Sequence, residues 1–214
     1  MRALIVTLTL TACVATPQPG DGQGGEAPRG AAAGDETRSV PTSRGGRELV
    51  GQPAKAWGAL QWIGSEPLTL ESLRGSVVLV RFWTDTCPFC AATAPALATI
   101  HADYADRGLV VLGFFHPKPR GSARSLDAIE ARARELGITF PIAVDADWAT
   151  LDDWWLAGGE RRATSVSFLL DREGTIRFVH PGPEFSPDSE RELSRRDHEQ
   201  VRAAIEALLA ERDS

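Results

Sequence analysis

Lysine is almost missing from this chain. Lys55 and Lys118 are the only two, so arginine supplies nearly all of the positive charge. Acidic residues outnumber basic ones by 29 to 23, for a formal charge of −6 over 214 residues. A nucleic-acid binder needs a basic stripe or patch, and this balance supplies none. No phosphate-cradling glycine loop, catalytic carboxylate pair or nucleophile elbow occurs either. The apolar stretch at the front, Ala3 to Leu10, is too short for a permanent bilayer-spanning helix, which takes about 20 residues. Cysteine is scarce too, with three residues at positions 13, 87 and 90. A structural zinc site asks for a second Cys or His pair at similar spacing, and the four histidines are scattered, which leaves zinc a weak alternative.

The stretch VVLVRFWTDTCPFCAATAPALA, from Val77 to Ala98, organises the rest. Val77 to Trp83 is a near-continuous apolar run of strand length, broken only by Arg81, as expected of a strand covered on both faces. Thr84 to Thr86 form a turn, and Pro88 falls where a first-turn proline is tolerated, so the two cysteines open a helix. Unpaired N–H groups and the positive end of the helix dipole favour a thiolate on Cys87. Cys90, one turn on, is placed to attack a mixed disulfide formed at Cys87 and release the partner reduced.

With these residues in hand, the chain from Leu49 to about Gly182 resembles the TlpA/ResA-like branch of the thioredoxin superfamily, within the wider AhpC/TSA-redoxin group. The carriers are LVGQPAKAW, LTLESLRGSVVLVRFW, CPFC with Pro95 in the following helix, and SFLLDREGTIRFVHPG. The resemblance implies an α/β thioredoxin-like fold, a central mixed sheet flanked by helices, with an N-terminal β-hairpin extension. It implies an extracytoplasmic thiol–disulfide oxidoreductase whose redox group is the Cys87–Cys90 pair, with no other cofactor and no metal. Its partners would be protein thiols or disulfides and a redox partner protein.

The chain departs from that family at three positions. Relatives usually carry a cis-proline before the SFLLD strand, where this chain has Ser165 after Thr164; a cis bond before a non-proline costs about 3 kcal/mol, so trans geometry is expected. Arg81 stands where many thioredoxins hold a buried acid. It either lies under the sulfurs, stabilising thiolates and raising the reduction potential, or pairs with a carboxylate and never faces them. Thr86 replaces the usual tryptophan before the first cysteine, and Trp83 covers part of the same surface. Pro88 and Phe89, between the cysteines, tune the potential. Thr84 also fits a peroxiredoxin-like thiol peroxidase, although that motif's proline falls at Val80 and its arginine at Ser165. A copper or haem-thiol chaperone is a further alternative, though copper chaperones of this fold usually space their cysteines one residue wider.

The front of the chain reads as targeting rather than structure. Met1 to Ala12 combines a basic start with a short apolar run and ends in Leu-Thr-Ala-Cys, which resembles a lipoprotein signal with Cys13 as the lipid-bearing residue. Residues 13–47 are rich in Gly, Ala and Pro without apolar period, a disordered tether from the membrane. Residues 48–214 are assigned to the folded domain. Within it a hairpin is expected from about Trp57 to Leu70, with Trp57 and Trp62 packing over the sheet edge. A helix follows to about Arg107, a parallel strand at Leu109 to Phe115, and a helix from Ser122 or Ser125 to Leu136. Next come a strand at Phe140 to Val144, a short helix capped by Asp147, a hairpin of Val166 to Leu170 with Thr175 to Val179, and a terminal helix from Pro187. His116 and His180 fall at the cysteine end of the sheet, where either could move protons or hold a soft metal, but both are expected to be solvated. His101 and His198 are expected on helix surfaces.

Overall fold

β-branched and aromatic residues concentrate in six short runs, and these form one mixed sheet. The computed structural model describes residues 40–41, 43–157 and 161–211. The proposed signal at 1–12, Cys13 and the tether as far as residue 39 lie outside them. In chain order the strands are β1 (Gln61–Ile63), β2 (Val77–Trp83), β3 (Leu109–Phe115), β4 (Ile142–Val144), β5 (Ser167–Leu170) and β6 (Ile176–His180), arranged as β1-β4-β3-β2-β5-β6. The helix α1 (Pro88–Tyr104) carries the chain back across the sheet, so β3 pairs parallel with β2, from Val77↔Leu109 to Trp83↔Phe115. β5 pairs antiparallel with β2, and β6 antiparallel with β5. The ends of β2, β3 and β6 therefore emerge together at the end where Cys87 opens α1.

β2 is buried along its whole length because both faces of the sheet are covered. Val77 and Leu79 pack with Leu97 and Ile100 of α1 and with Val201 and Ile205 of α4 (Glu192–Ala210). Val78, Val80 and Phe82 point the other way, onto Leu151, Trp154 and Trp155. Trp83 continues the first face into a cluster with Cys90 and with Ile129 of α2 (Leu126–Glu135). Each such side chain contributes roughly 1.5–3 kcal/mol by leaving water, so the strand that leads to the nucleophile is firmly held.

Several expectations are corrected. The hairpin across Trp57 to Leu70 does not form: β1 pairs with β4 instead, Gln61 opposite Val144. Beyond Gly64 the chain closes on itself in turns, where Thr69 and Ser72 exchange side-chain and main-chain hydrogen bonds and Trp57 Nε1 donates to Leu68 O, so no partner strand is left for β1. Trp57 and Trp62 do pack over the sheet, both edge-on to Phe114. The short helix α3 (Ala149–Leu151), continued by a π-helical turn at Asp152–Leu156, takes its principal cap from buried Asp145, whose carboxylate accepts from the Thr150 and Leu151 N–H groups; Asp147 receives only Ala149 N. α4 starts at Glu192 rather than near Pro187, because the Ser186 and Ser189 hydroxyls bind main-chain N–H groups and hold the approach in a non-helical path. Ser43 and Arg44, read as tether, instead dock on the folded unit: Val179 N donates to Ser43 Oγ, and Arg44 pairs with Asp197. The chain is trans at Ser165 as expected, since cis bonds among the described residues precede Pro119 and Pro183.

Candidate active site

The turn after β2 delivers Cys87 to the cap position of α1 with extended backbone (φ −89°, ψ 116°), and its sulfur accepts a hydrogen bond from Cys90 N at 3.4 Å. Pro88 follows at the first helical position, where its missing N–H costs nothing. Both cysteines are free thiols. Cys87 is half-buried and Cys90 buried, behind exposed Pro88 and Phe89. The Cys87 thiol is pulled down to about 5, first by the hydrogen bond from the Cys90 thiol, against the opposing pull of burial, and further by the Ser165 hydroxyl and the helix N–H groups. Cys90 is pushed up, because it supplies its proton to Cys87 and because burial disfavours its charge. At neutral pH the pair is one half-exposed thiolate beside one buried thiol.

Arg81 lies under this pair, fully buried at 1% exposure. Its guanidinium donates to Ser165 O (2.9 Å), Ser167 Oγ (3.2 Å) and Pro183 O (2.7 Å). It is thus held by two carbonyls and a hydroxyl rather than by a carboxylate, and it faces the sulfurs. Burial lowers its pKa, while the charges of Cys90 and Cys87 act the other way. The register explains the anchor: Arg81 sits opposite Ser167, and both interrupt otherwise apolar strands in the same row.

Ser165 places its hydroxyl 3.1 Å from Cys90 Sγ and 3.5 Å from Cys87 Sγ. Trp83 is buried against Phe115 and packs with Cys90. Thr84 is buried as well, but its hydroxyl donates to Asp85, whose carboxylate is paired with Arg124. Thr86 is exposed.

The histidines depart from expectation. His116 is completely buried, with its ring edge-on to Trp148 at 5.0 Å, and neither ring nitrogen has a hydrogen-bond partner among the described residues. Burial and then Lys118 push it down to about 3, so it is a neutral packing group rather than a solvated one. His180 is buried too, with Nε2 at 2.9 Å from Asp197 Oδ2, the oxygen that also accepts from Arg44. Trp148 packs on His116 and Phe185 on His180, contacts that chain position alone does not reveal. His198 is buried against Phe185 rather than exposed, and His101 is partly buried. Among the described residues no group of three or more potential metal ligands occurs. Sequence reasoning missed Ser167 and the Pro183 carbonyl; a serine breaking an apolar strand opposite an arginine was the available signal for the first.

Residues 50–179 match the sequence model of the AhpC/TSA family. The chain belongs to that family. It is similar to Protein DipZ of Mycobacterium bovis, 33% identical over 138 residues that cover 63% of this chain and 19% of DipZ. It is also similar to thiol-disulfide oxidoreductase ResA of Geobacillus kaustophilus, 26% identical over 58% of this chain and 65% of ResA. The matched segment is thus about a fifth of DipZ's length. Among solved structures, the thioredoxin-like superfamily protein SPOA0173 superposes with a TM-score of 0.59 at 25% identity, covering 76% of this chain and 99% of that one. The fold is thioredoxin-like.

Proposed function

We propose that this member of the AhpC/TSA family is a thiol–disulfide oxidoreductase acting on protein thiols and disulfides. The observation that carries the reading is the asymmetric pair: a half-exposed Cys87 held as thiolate near neutral pH, and a buried, protonated Cys90 one helical turn away. The Cys87 thiolate attacks one sulfur of a partner disulfide. One partner thiolate leaves and a mixed disulfide forms. Cys90 then displaces the second partner sulfur from Cys87, so the partner ends reduced and Cys87–Cys90 oxidised. Run backwards, the same steps oxidise a dithiol, and Arg81 beneath the sulfurs favours the thiolate form and hence the oxidising direction. The pair itself carries the electrons, and no further cofactor is invoked.

The Leu-Thr-Ala-Cys sequence supports a lipid anchor at Cys13 and an extracytoplasmic site of action, with 13–39 as spacer. No helix among the described residues is long and apolar enough to cross a membrane. Replacing Cys13 with Ser is expected to move the protein from the membrane fraction to the soluble one. The activity is tested by incubating the reduced protein with a disulfide-bonded protein substrate. Wild type is expected to reduce it, Cys87→Ala to be inert, and Cys90→Ala to accumulate a trapped mixed disulfide. Equal activity in Cys87→Ala would sink the reading, and rapid peroxide consumption by the reduced wild type would favour the peroxidase alternative.

A further inference from the structure

Cys90 is 4% exposed and carries a proton that must leave before or as its sulfur attacks. Few groups are in a position to take it. Arg81, the charged side chain under the pair, cannot accept a proton at ordinary pH. Asp85 is engaged by Arg124 and Thr84. His116 and His180 form no hydrogen bond to either sulfur among the described residues. The side-chain oxygen that does touch Cys90 Sγ is Ser165 Oγ, at 3.1 Å, and the same atom stands 3.5 Å from Cys87 Sγ.

We propose that the Ser165 hydroxyl is a catalytic proton relay, taking the Cys90 proton and passing one on to solvent as Cys90 displaces a bound partner from Cys87. A hydroxyl has one hydrogen and two lone pairs. In the resting pair the Cys90 proton lies toward the Cys87 thiolate; once Cys87 is bonded to a partner sulfur and carries no charge, the Ser165 oxygen at 3.1 Å is placed to accept it instead. In the displacement the Cys90–Cys87 S–S bond forms and the bond from Cys87 to the partner sulfur breaks, with its electron pair leaving on that sulfur. The Cys90 proton passes to Ser165 Oγ while the serine's own proton passes to solvent on the half-exposed Cys87 side. The partner leaves as a thiolate and Ser165 is regenerated.

The main chain that carries this hydroxyl is itself held in place. The Ser165 carbonyl accepts from Arg81 Nη1, and Gly182 (φ +88°) leaves room for it, since a Cβ there would fall 2.5 Å from that carbonyl oxygen. A serine at the position where relatives place a cis-proline thus supplies an O–H that a proline lacks.

The role rests on the dithiol exchange proposed above, and oxidised glutathione separates the two. Reduced full-length protein is mixed with it, quenched by alkylation, and resolved by mass into reduced, glutathionylated and internally oxidised forms. In Ser165→Ala the glutathionylated form is expected to arise with a far smaller change in rate but to decay roughly a hundredfold more slowly, the lower end of what a positioned acid–base group contributes. Ser165→Thr, which keeps the hydroxyl, is expected to restore most of the decay rate. An unchanged decay in Ser165→Ala overturns the relay while leaving the exchange intact, whereas a wild type that never glutathionylates at Cys87 overturns the exchange itself. Should Ser165→Ala fail to fold, wild-type decay in heavy water decides: slowing supports the relay and an equal rate overturns it.

Discussion

Cys87 and Arg81 are the residues whose environments decide the chemistry. With the Cys87 thiol down at about 5, its alkylation rate is expected to rise between pH 4 and 6 and then stay flat through neutrality, followed with iodoacetamide on the reduced protein. A midpoint near the ordinary 9.0 would mean that the Cys90 and Ser165 contacts do not hold the anion. Arg81 faces the sulfurs, and its hydrogen bonds go to carbonyl and hydroxyl oxygens rather than to a carboxylate. Arg81→Leu is therefore expected to raise that midpoint and to lower the Cys87–Cys90 reduction potential by about 30 mV, a tenfold change in the exchange constant, measured against a glutathione buffer. Which of its two sequence-level readings applied could not be seen along the chain, because Ser167 and Pro183 lie 86 and 102 residues away.

Elements take their boundaries from caps and competing local bonds. α2 begins where Ser125 Oγ accepts from Ala128 N, which decides between the two caps, Ser122 and Ser125, that the sequence offered. The next helical turn is different, because its cap is a strand-end aspartate. Asp145 is fully buried with both oxygens on main-chain N–H groups, whereas Asp147 is exposed. Asp145→Ala should cost about 2–4 kcal/mol by stranding two buried donors, and Asp147→Ala less than about 0.5 kcal/mol, in urea unfolding. Equal effects would return the capping role to Asp147. The absence of a hairpin around Gly64 has a similar origin, since an edge strand pairs with whichever neighbour the fold presents, and here that is β4.

For the whole molecule the thiolate couples redox chemistry to stability. Cys87 has a folded pKa of about 5, depressed from 9.0, so the reduced unfolded chain binds a proton between those values that the folded one does not. Its stabilising contribution is fully present above pH 9 and is lost as pH falls through 5. Cys90, raised in the fold, is protonated in both states below 9 and leaves this window undisturbed. The stability lost on reducing Cys87 to serine by mutation, Cys87→Ser, should thus be larger at pH 8 than at pH 5 when both reduced proteins are unfolded in urea. A pH-independent difference would contradict the depressed thiol.

What the sequence alone determined was local or periodic in origin. The buried β2, the parallel β3, the helix opened by Cys87, and the late hairpin all follow from apolar period, chain length and cap residues, which act over a few positions. The tertiary structure alone decided the pairing of β1 with β4, the carbonyl cage around Arg81, the burial of His116 and His180, and the contact of Ser165 Oγ with both sulfurs. Each of these depends on which distant strands share a row of the sheet and on which side chains cover it, and burial in turn sets charge state. The chemistry was written in two cysteines one helical turn apart, while the side chains and main chain that tune and relay it come together only when β2, β5 and β6 meet.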